Sequence, residues 1–189
     1  GVNTLVIGYY ILVLYFISSI DTGNSALIDD DFINLLIFSL SILLVLNCFN
    51  FLFLGDNGSY LISVFVGIYL IDLANNNVLI SPYFVMNLLW YPAYETLFSI
   101  IRKILTKKSA LSPDNLHLHQ LVYVYLKDKI SHKYYANSLS GILINIYNLI
   151  IFYFASTDYS NTKYQLFLFC FSFLVYNFLY LALKSNLKN

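Results

Sequence analysis

Three groups of residues in this chain have the types and spacing that chemistry requires. The first is Gly55-Asp56-Asn57-Gly58-Ser59. Its two glycines allow positive φ and close backbone approach to a ligand. Exposed N–H groups at the start of the following apolar run can hold an anion. A carboxylate there can hold Mg²⁺, a hard cation that prefers oxygen and keeps several waters. The same residues also read as a tight turn, with Ser59 as the N-cap of the next helix. The second group is Ser112-Pro113-Asp114-Asn115-Leu116-His117-Leu118-His119. Residues at i and i+2 diverge on a helix but point the same way on an extended segment, and Pro113 disfavours helix just before it. Two imidazoles facing one way can bind phosphate, donate protons or hold a metal; the alternative is a pair of solvated histidines in a basic loop. His132, beside Lys133, reads as solvated surface. The third group is Glu95, seven residues or about two helical turns before Arg102. A carboxylate inside an apolar run is a functional candidate by default. The alternative is a structural ion pair with Arg102 or Lys103, and the spacing slightly favours a supporting role.

The elements that must position these groups are apolar. Hydrophobic residues make up 59% and charged residues 11% of the 189, against roughly 45–50% and about 25% in soluble domains. Mean hydropathy is +0.71. Too few polar residues are present to cover a water-soluble globule, which excludes soluble, nucleic-acid-binding and disordered classes. About 20 apolar residues span a bilayer as a helix. By that measure the chain is an all-α polytopic membrane bundle with six spans: 2–20, 32–54, 59–74, 78–101, 138–157 and 164–183. Pro82 and Pro92 read as breaks in the fourth, and Asp72, near the end of the third, as interfacial. No internal repeat is visible, and periodicity is uninformative in runs that are apolar all round. Cys48 and Cys170 lie in apolar runs and read as small buried hydrophobes, neither a disulfide nor a metal pair. The first run has neither a basic leader nor a cleavage site. Position 1 is Gly and Met86 is the single methionine, so part of a longer protein is expected.

Net charge is zero, but the connectors sort by sign. Residues 21–31 carry four Asp and no Lys or Arg, whereas the loop 102–137 carries seven of the ten basic residues. Basic loops stay in the cytoplasm. Counting spans from that loop places nine of ten basic residues inside, together with the Gly55–Ser59 and Ser112–His119 groups. The basic run Arg102-Lys103…Lys107-Lys108 marks orientation, attracts anionic headgroups and can steer a phosphate-rich substrate. The 18 Tyr, 16 Phe and one Trp suit lipid contact and interfacial belts, not a ligand cage.

Taken together, these groups resemble a family. Phe53-Leu54-Gly55-Asp56-Asn57-Gly58-Ser59 is similar to the F-[LM]-G-D-x-G-S motif of the polyprenyl-phosphate sugar-1-phosphate transferases. Ser112-Pro113-Asp114…His117-Leu118-His119 resembles that family's S-P-D-x-x-H-[IL]-H-H loop. Pro92-Ala93-Tyr94-Glu95 followed by Arg102-Lys103 resembles its P-x-x-D and paired basic residues. Gly1-Val2-Asn3-Thr4-Leu5 resembles the tail of its D-G-x-[DN]-x-L motif, cut just after the Asp. The resemblance covers the whole chain as the C-terminal part of one integral-membrane transferase domain, and only the combination of motifs is specific.

The resemblance implies a cytoplasmic-face enzyme of the bacterial plasma membrane, usually of ten or eleven spans. It moves a sugar-1-phosphate from a UDP-sugar to a polyprenyl (undecaprenyl) phosphate, releasing UMP, in cell-envelope glycan synthesis. It implies Asp56 as the Mg²⁺ ligand and Asp56, His117 and His119 as catalytic residues. It implies Asn57, Gly58, Arg102 and Asp114 as substrate-binding residues. Sugar choice is expected to depend on residues 115–133 and on residues upstream, and a homodimer is left open. Gln120 departs from the family's third His and Phe51 from its usual Lys. The family's upstream aspartate pair is absent, so the chain alone is expected to be inactive. Two other classes remain: a transporter or channel segment, with deep polar residues and paired broken helices, and a non-catalytic membrane scaffold.

Overall fold

A computed structural model describes residues 2–20, 30–107, 116–130 and 132–186. Among them are seven helices and no strand. They are α1 (Val2–Ile20), α2 (Asp30–Cys48), α3 (Gly55–Asn76), α4 (Pro82–Leu105), α5 (Leu118–Lys127), α6 (Lys133–Thr157) and α7 (Thr162–Asn186). The expected all-α polytopic bundle is therefore present. Five helices are long and apolar enough to cross a membrane: α1, α2, α3, α6 and α7. The remaining expected span, the fourth (78–101), corresponds to α4, which is long enough at 24 residues but diluted by Asn87, Tyr91, Pro92, Tyr94 and Glu95.

Several boundaries differ from the sequence reading, each for a local reason. The second apolar run leaves the helix at Cys48, six residues before the hydrophobic stretch ends. Asn50 adopts φ +61° and the Phe51 N–H closes back on the Leu46 carbonyl. Pro82 opens α4 instead of breaking it. The Ser81 hydroxyl caps the helix by accepting the Tyr83 N–H at 3.3 Å, and Pro needs no donor at that position. Pro92 lies inside continuous helix. It has no N–H for the Leu88 carbonyl, and the Tyr9 hydroxyl of α1 donates to that carbonyl in its place. The basic loop contains the ten-residue helix α5.

The chain is organised around α1, which has ten buried residues and packs against α2, α3 and α6. Gly8 lets α6 approach: a Cβ there would lie 2.2 Å from the Asn145 amide nitrogen. That nitrogen donates to the Thr4 and Leu5 carbonyls at 3.3 and 3.1 Å. A second seam joins α4 to α7 through Trp90, Tyr94, Phe98, Phe173, Tyr176 and Tyr180, whose rings meet at tilted and edge-on angles. Both cysteines are free, but Cys48 is only half-buried and Cys170 is exposed. Their apolar setting in sequence reflects the outer face of the bundle, not its interior.

The bundle has two ends. At one, the Thr4 hydroxyl of α1 donates to Asn47 near the end of α2 at 2.8 Å, and Asn137 and Ser138 of α6 lie beside them. The start of α3, the end of α4 and α5 are brought to this end by the connectivity. At the other end, the Ser81 N–H donates to the Tyr159 carbonyl at 3.0 Å, tying the α3–α4 turn to the α6–α7 turn. Asp72, near the end of α3, is 5% exposed. Its Oδ1 accepts from Asn76 at 2.8 Å and its Oδ2 is buried without a hydrogen-bond partner.

Candidate functional site

Glu95 lies just past the middle of α4, on the side facing α5 and α7. It is buried, and its oxygens meet three polar groups. His117 Nδ1 is 2.9 Å from Oε1, the Leu118 N–H donates to the same oxygen at 3.1 Å, and the Tyr176 hydroxyl donates to Oε2 at 2.8 Å. In place of the alternative ion pair with Arg102 or Lys103, Glu95 contacts His117, 22 residues away in sequence. Arg102 serves the scaffold. Its Nη1 donates to the Leu116 carbonyl at 2.6 Å and to the Tyr180 hydroxyl at 2.7 Å, with the guanidinium over the Phe98 and Tyr180 rings. These bonds tie the segment just before His117 to α4 and α7.

The two histidines do face together, but by a mixed geometry. His117 is the N-cap of α5, with extended backbone (φ −73°, ψ 151°), and His119 is in the first helical turn. The rings stack at 5.7 Å with 11° between planes. Gln120, which departs from the family's third His, accepts the His117 N–H at 3.1 Å and so closes the helix start. His119 carries the strongest unsatisfied polarity in the cluster: both ring nitrogens are buried with no hydrogen-bond partner. Burial pushes its pKa down from 6.5 to about 4, against the attraction of Glu95, so the ring is neutral near pH 7. His132 sits exposed at the N-cap of α6 against the Tyr135 ring, as a surface histidine.

The Gly55–Ser59 group takes a different form from the expected turn. It is the first turn of α3, and Ser59 is not the cap, because its hydroxyl donates back to the Gly55 carbonyl at 3.0 Å. Gly55 uses its freedom, at φ +67°. Gly58 is helical and serves packing instead: a Cβ there would lie 2.7 Å from Leu54 Cδ1. Asp56 and Asn57 are exposed on that turn. Asp56 makes no hydrogen bond or ion pair with the Glu95–His117–His119 cluster, so the two groups share an end of the bundle without touching. Asp114, with Ser112, Pro113 and Asn115, lies outside the described residues. Among the described residues no group of three His, Cys, Asp or Glu forms a metal cage.

Two features were absent from the sequence reading. Tyr176 and Tyr180 complete the Glu95 and Arg102 contacts; their only signal was i, i+4 spacing in the last apolar run. A polar cleft of about 230 Å³ opens at the same end, lined by Asn3, Thr4, Asn47, Asn50, Phe53 and Asn137 among others. It holds amides and hydroxyls but no charged side chain. A larger cleft of about 390 Å³ between α1, α3 and α4 is almost wholly apolar and reaches Tyr91 and Pro92, just before Glu95.

No family model matches the chain, and no solved structure matches it. The chain is 31% identical over 100 residues to a protein named probable undecaprenyl-phosphate N-acetylglucosaminyl 1-phosphate transferase from Bacillus subtilis (strain 168). The match covers 48% of this chain and 28% of that protein. The fold and these residues define a multi-pass membrane protein. By that comparison the chain is distantly related to a membrane transferase.

Proposed function

We propose that the chain forms part of a membrane transferase that moves a sugar-1-phosphate from a UDP-sugar to a polyprenyl phosphate, at the cytoplasmic face of a bacterial plasma membrane. The observation that carries this reading is the Glu95–His117–His119 cluster. It presents a stacked imidazole pair, with both His119 nitrogens lacking partners, at the bundle end that also bears Asp56. Joining two anions requires their charge to be neutralised and their oxygens to be held in line. Neutral His119 can donate one hydrogen bond and accept another, which suits a phosphate or sugar hydroxyl. The basic residues following Arg102 raise the local concentration of anions. The uncharged amide-lined cleft beside Phe53 suits the nucleoside, which carries hydrogen-bonding edges but no charge. The apolar cleft running toward Glu95 suits a lipid chain.

Asp56 fits Mg²⁺ in one particular mode. It is an exposed hard-oxygen ligand at a helix start with no second carboxylate in contact among the described residues, so it can anchor an ion whose other positions are filled by water and substrate phosphates. Bound there, Mg²⁺ would supply neutralisation of the diphosphate charge. A transporter would need several deep polar positions in paired broken helices; continuous α4 offers one carboxylate, already satisfied.

The test is transfer of label from a UDP-sugar to polyprenyl phosphate by the full-length protein in liposomes. His119→Ala is expected to lose at least 100-fold in rate, in line with the removal of a positioned acid–base group. His132→Ala is expected to stay within twofold. Equal losses would reject the histidine pair as the working site.

A further inference from the structure

Glu95 does more than neutralise a neighbour. Its Oε1 lies between His117 Nδ1 and the Leu118 N–H, and its Oε2 is closed by the Tyr176 hydroxyl. A backbone N–H can only donate, so Oε1 is an acceptor and carries no proton toward Leu118. With Oε2 accepting from Tyr176 as well, Glu95 is held as a carboxylate, which can only accept, and the nitrogen facing Oε1 at 2.9 Å is then the donor. From this geometry we infer that Glu95, buttressed by Tyr176, is a positioning residue that holds His117 as the Nδ1–H tautomer and fixes the plane on which the His119 ring stacks. The inference deepens the proposed transferase function and rests on it for its chemical purpose.

Three features make the arrangement a positioning device. Glu95 and Tyr176 come from different helices, α4 and α7, so the carboxylate is fixed from two sides. The ring it holds belongs to the N-cap of α5, where extended backbone leaves the side chain without the constraint of a helical turn. Arg102 anchors the residue before it through the Leu116 carbonyl. The ligand class this serves is a phosphate monoester bearing a proton. Its second pKa, about 6, leaves a fraction of it protonated near neutral pH. In the Nδ1–H tautomer, Nε2 is the acceptor. Transfer of the phosphate proton to Nε2 yields an imidazolium between two anions, Glu95 and the now dianionic phosphate. The phosphate oxygen gains the charge it needs as a nucleophile, and no other bond changes.

Substitution separates the parts. Glu95→Gln keeps an oxygen that accepts from His117 and Leu118, and Tyr176 can rotate its hydroxyl to accept from the amide. Glu95→Ala removes the acceptor. The full-length protein in nanodiscs, with ¹⁵N-labelled histidine assigned through His117→Gln, is read by NMR at pH 7.5. His117 is expected to show a protonated Nδ1 in the parent and in Glu95→Gln, and to lose it in Glu95→Ala. Transfer kinetics with polyprenyl phosphate are expected to show a 10–100-fold fall in kcat for Glu95→Ala, with at least tenfold recovery in Glu95→Gln, the range typical of outer-shell partners. Tyr176→Phe is expected to cost less than tenfold while leaving the tautomer unchanged. His117 protonated at Nε2 in the parent, or an Nδ1–H signal that survives Glu95→Ala, would overturn the inference. Absence of any transfer by the parent would reject the transferase reading while leaving the tautomer result to decide this one.

Discussion

Arg102→Lys keeps the charge at residue 102 and removes the planar fork. In the structure that fork bonds the Leu116 carbonyl at 2.6 Å and the Tyr180 hydroxyl at 2.7 Å, and lies over two aromatic rings at 5.8 and 5.6 Å. A hydrogen bond to a charged group contributes about 1.5–3 kcal/mol, and each cation–π contact about 0.5–1 kcal/mol at partly exposed sites. A lysine ammonium can reach one of the two oxygens and cannot stack as a plane. The expected loss is one charged hydrogen bond and most of the stacking, about 2–3 kcal/mol. For a chain of this size that corresponds to roughly 5–10 °C in Tm. Thermal unfolding of the full-length protein in detergent measures it, alongside KM for the UDP-sugar. A scaffold role predicts the Tm loss with KM within threefold. Unchanged Tm with KM raised tenfold would make Arg102 a substrate contact, the role the family resemblance implies, and would refute the reasoning.

Three further predictions follow from local geometry. Gly8→Ala should destabilise by about 2 kcal/mol: its Cβ displaces Asn145 from the Thr4 and Leu5 carbonyls, and overpacking adds to the loss, with some return from helix propensity. Thermal unfolding checks this, and Gly8→Ala at parental Tm would contradict the α1–α6 contact. Gly55→Ala should cost about 1–2 kcal/mol because φ +67° disfavours any Cβ, although nothing lies within 4 Å to clash, whereas Gly58→Ala meets only the movable end of Leu54 and should cost less. The comparison of the two Tm values decides it. Acid should weaken the fold through His119. Its folded pKa of about 4 lies below the ordinary 6.5, so the unfolded chain binds the proton first on acidification. The contribution is complete above pH 6.5 and is lost as pH falls toward 4, up to about 3 kcal/mol. His119→Gln should flatten the dependence of Tm on pH across that window, and an unchanged slope would place the titration elsewhere.

How much of this was legible in the sequence follows from the range of each interaction. Apolar length identified the helices, because membrane crossing is a property of a single segment. The signal was weakest at α4, where polar and aromatic residues that serve the interior dilute it. The positive φ of Gly55 was legible because it is a one-residue property. The capping of α4 by Ser81-Pro82 was equally local but was masked by the apolar run around it. Glu95 stood out as a carboxylate in an apolar run, yet spacing offered only Arg102 or Lys103 as its ion-pair partner. The helical spacing between them is local, whereas His117 and Tyr176 are 22 and 81 residues away. Tyr176 and Tyr180 were indistinguishable from lipid-facing aromatics, since a helix apolar all round gives no facing signal. Gln120 read as a lost imidazole, and only the N-cap geometry of α5 reveals it as a cap.

The central claim is tested most directly by label transfer in proteoliposomes of the full-length protein. The donor is a UDP-sugar carrying ³²P at the β-phosphate, the acceptor is polyprenyl phosphate, and Mg²⁺ or EDTA is present. The account predicts lipid-linked label with Mg²⁺, none with EDTA, and loss of at least 100-fold in Asp56→Asn, with Tm preserved because Asp56 is exposed at the start of α3. Parental turnover by Asp56→Asn, or no lipid-linked label from the parent with Mg²⁺, would contradict it.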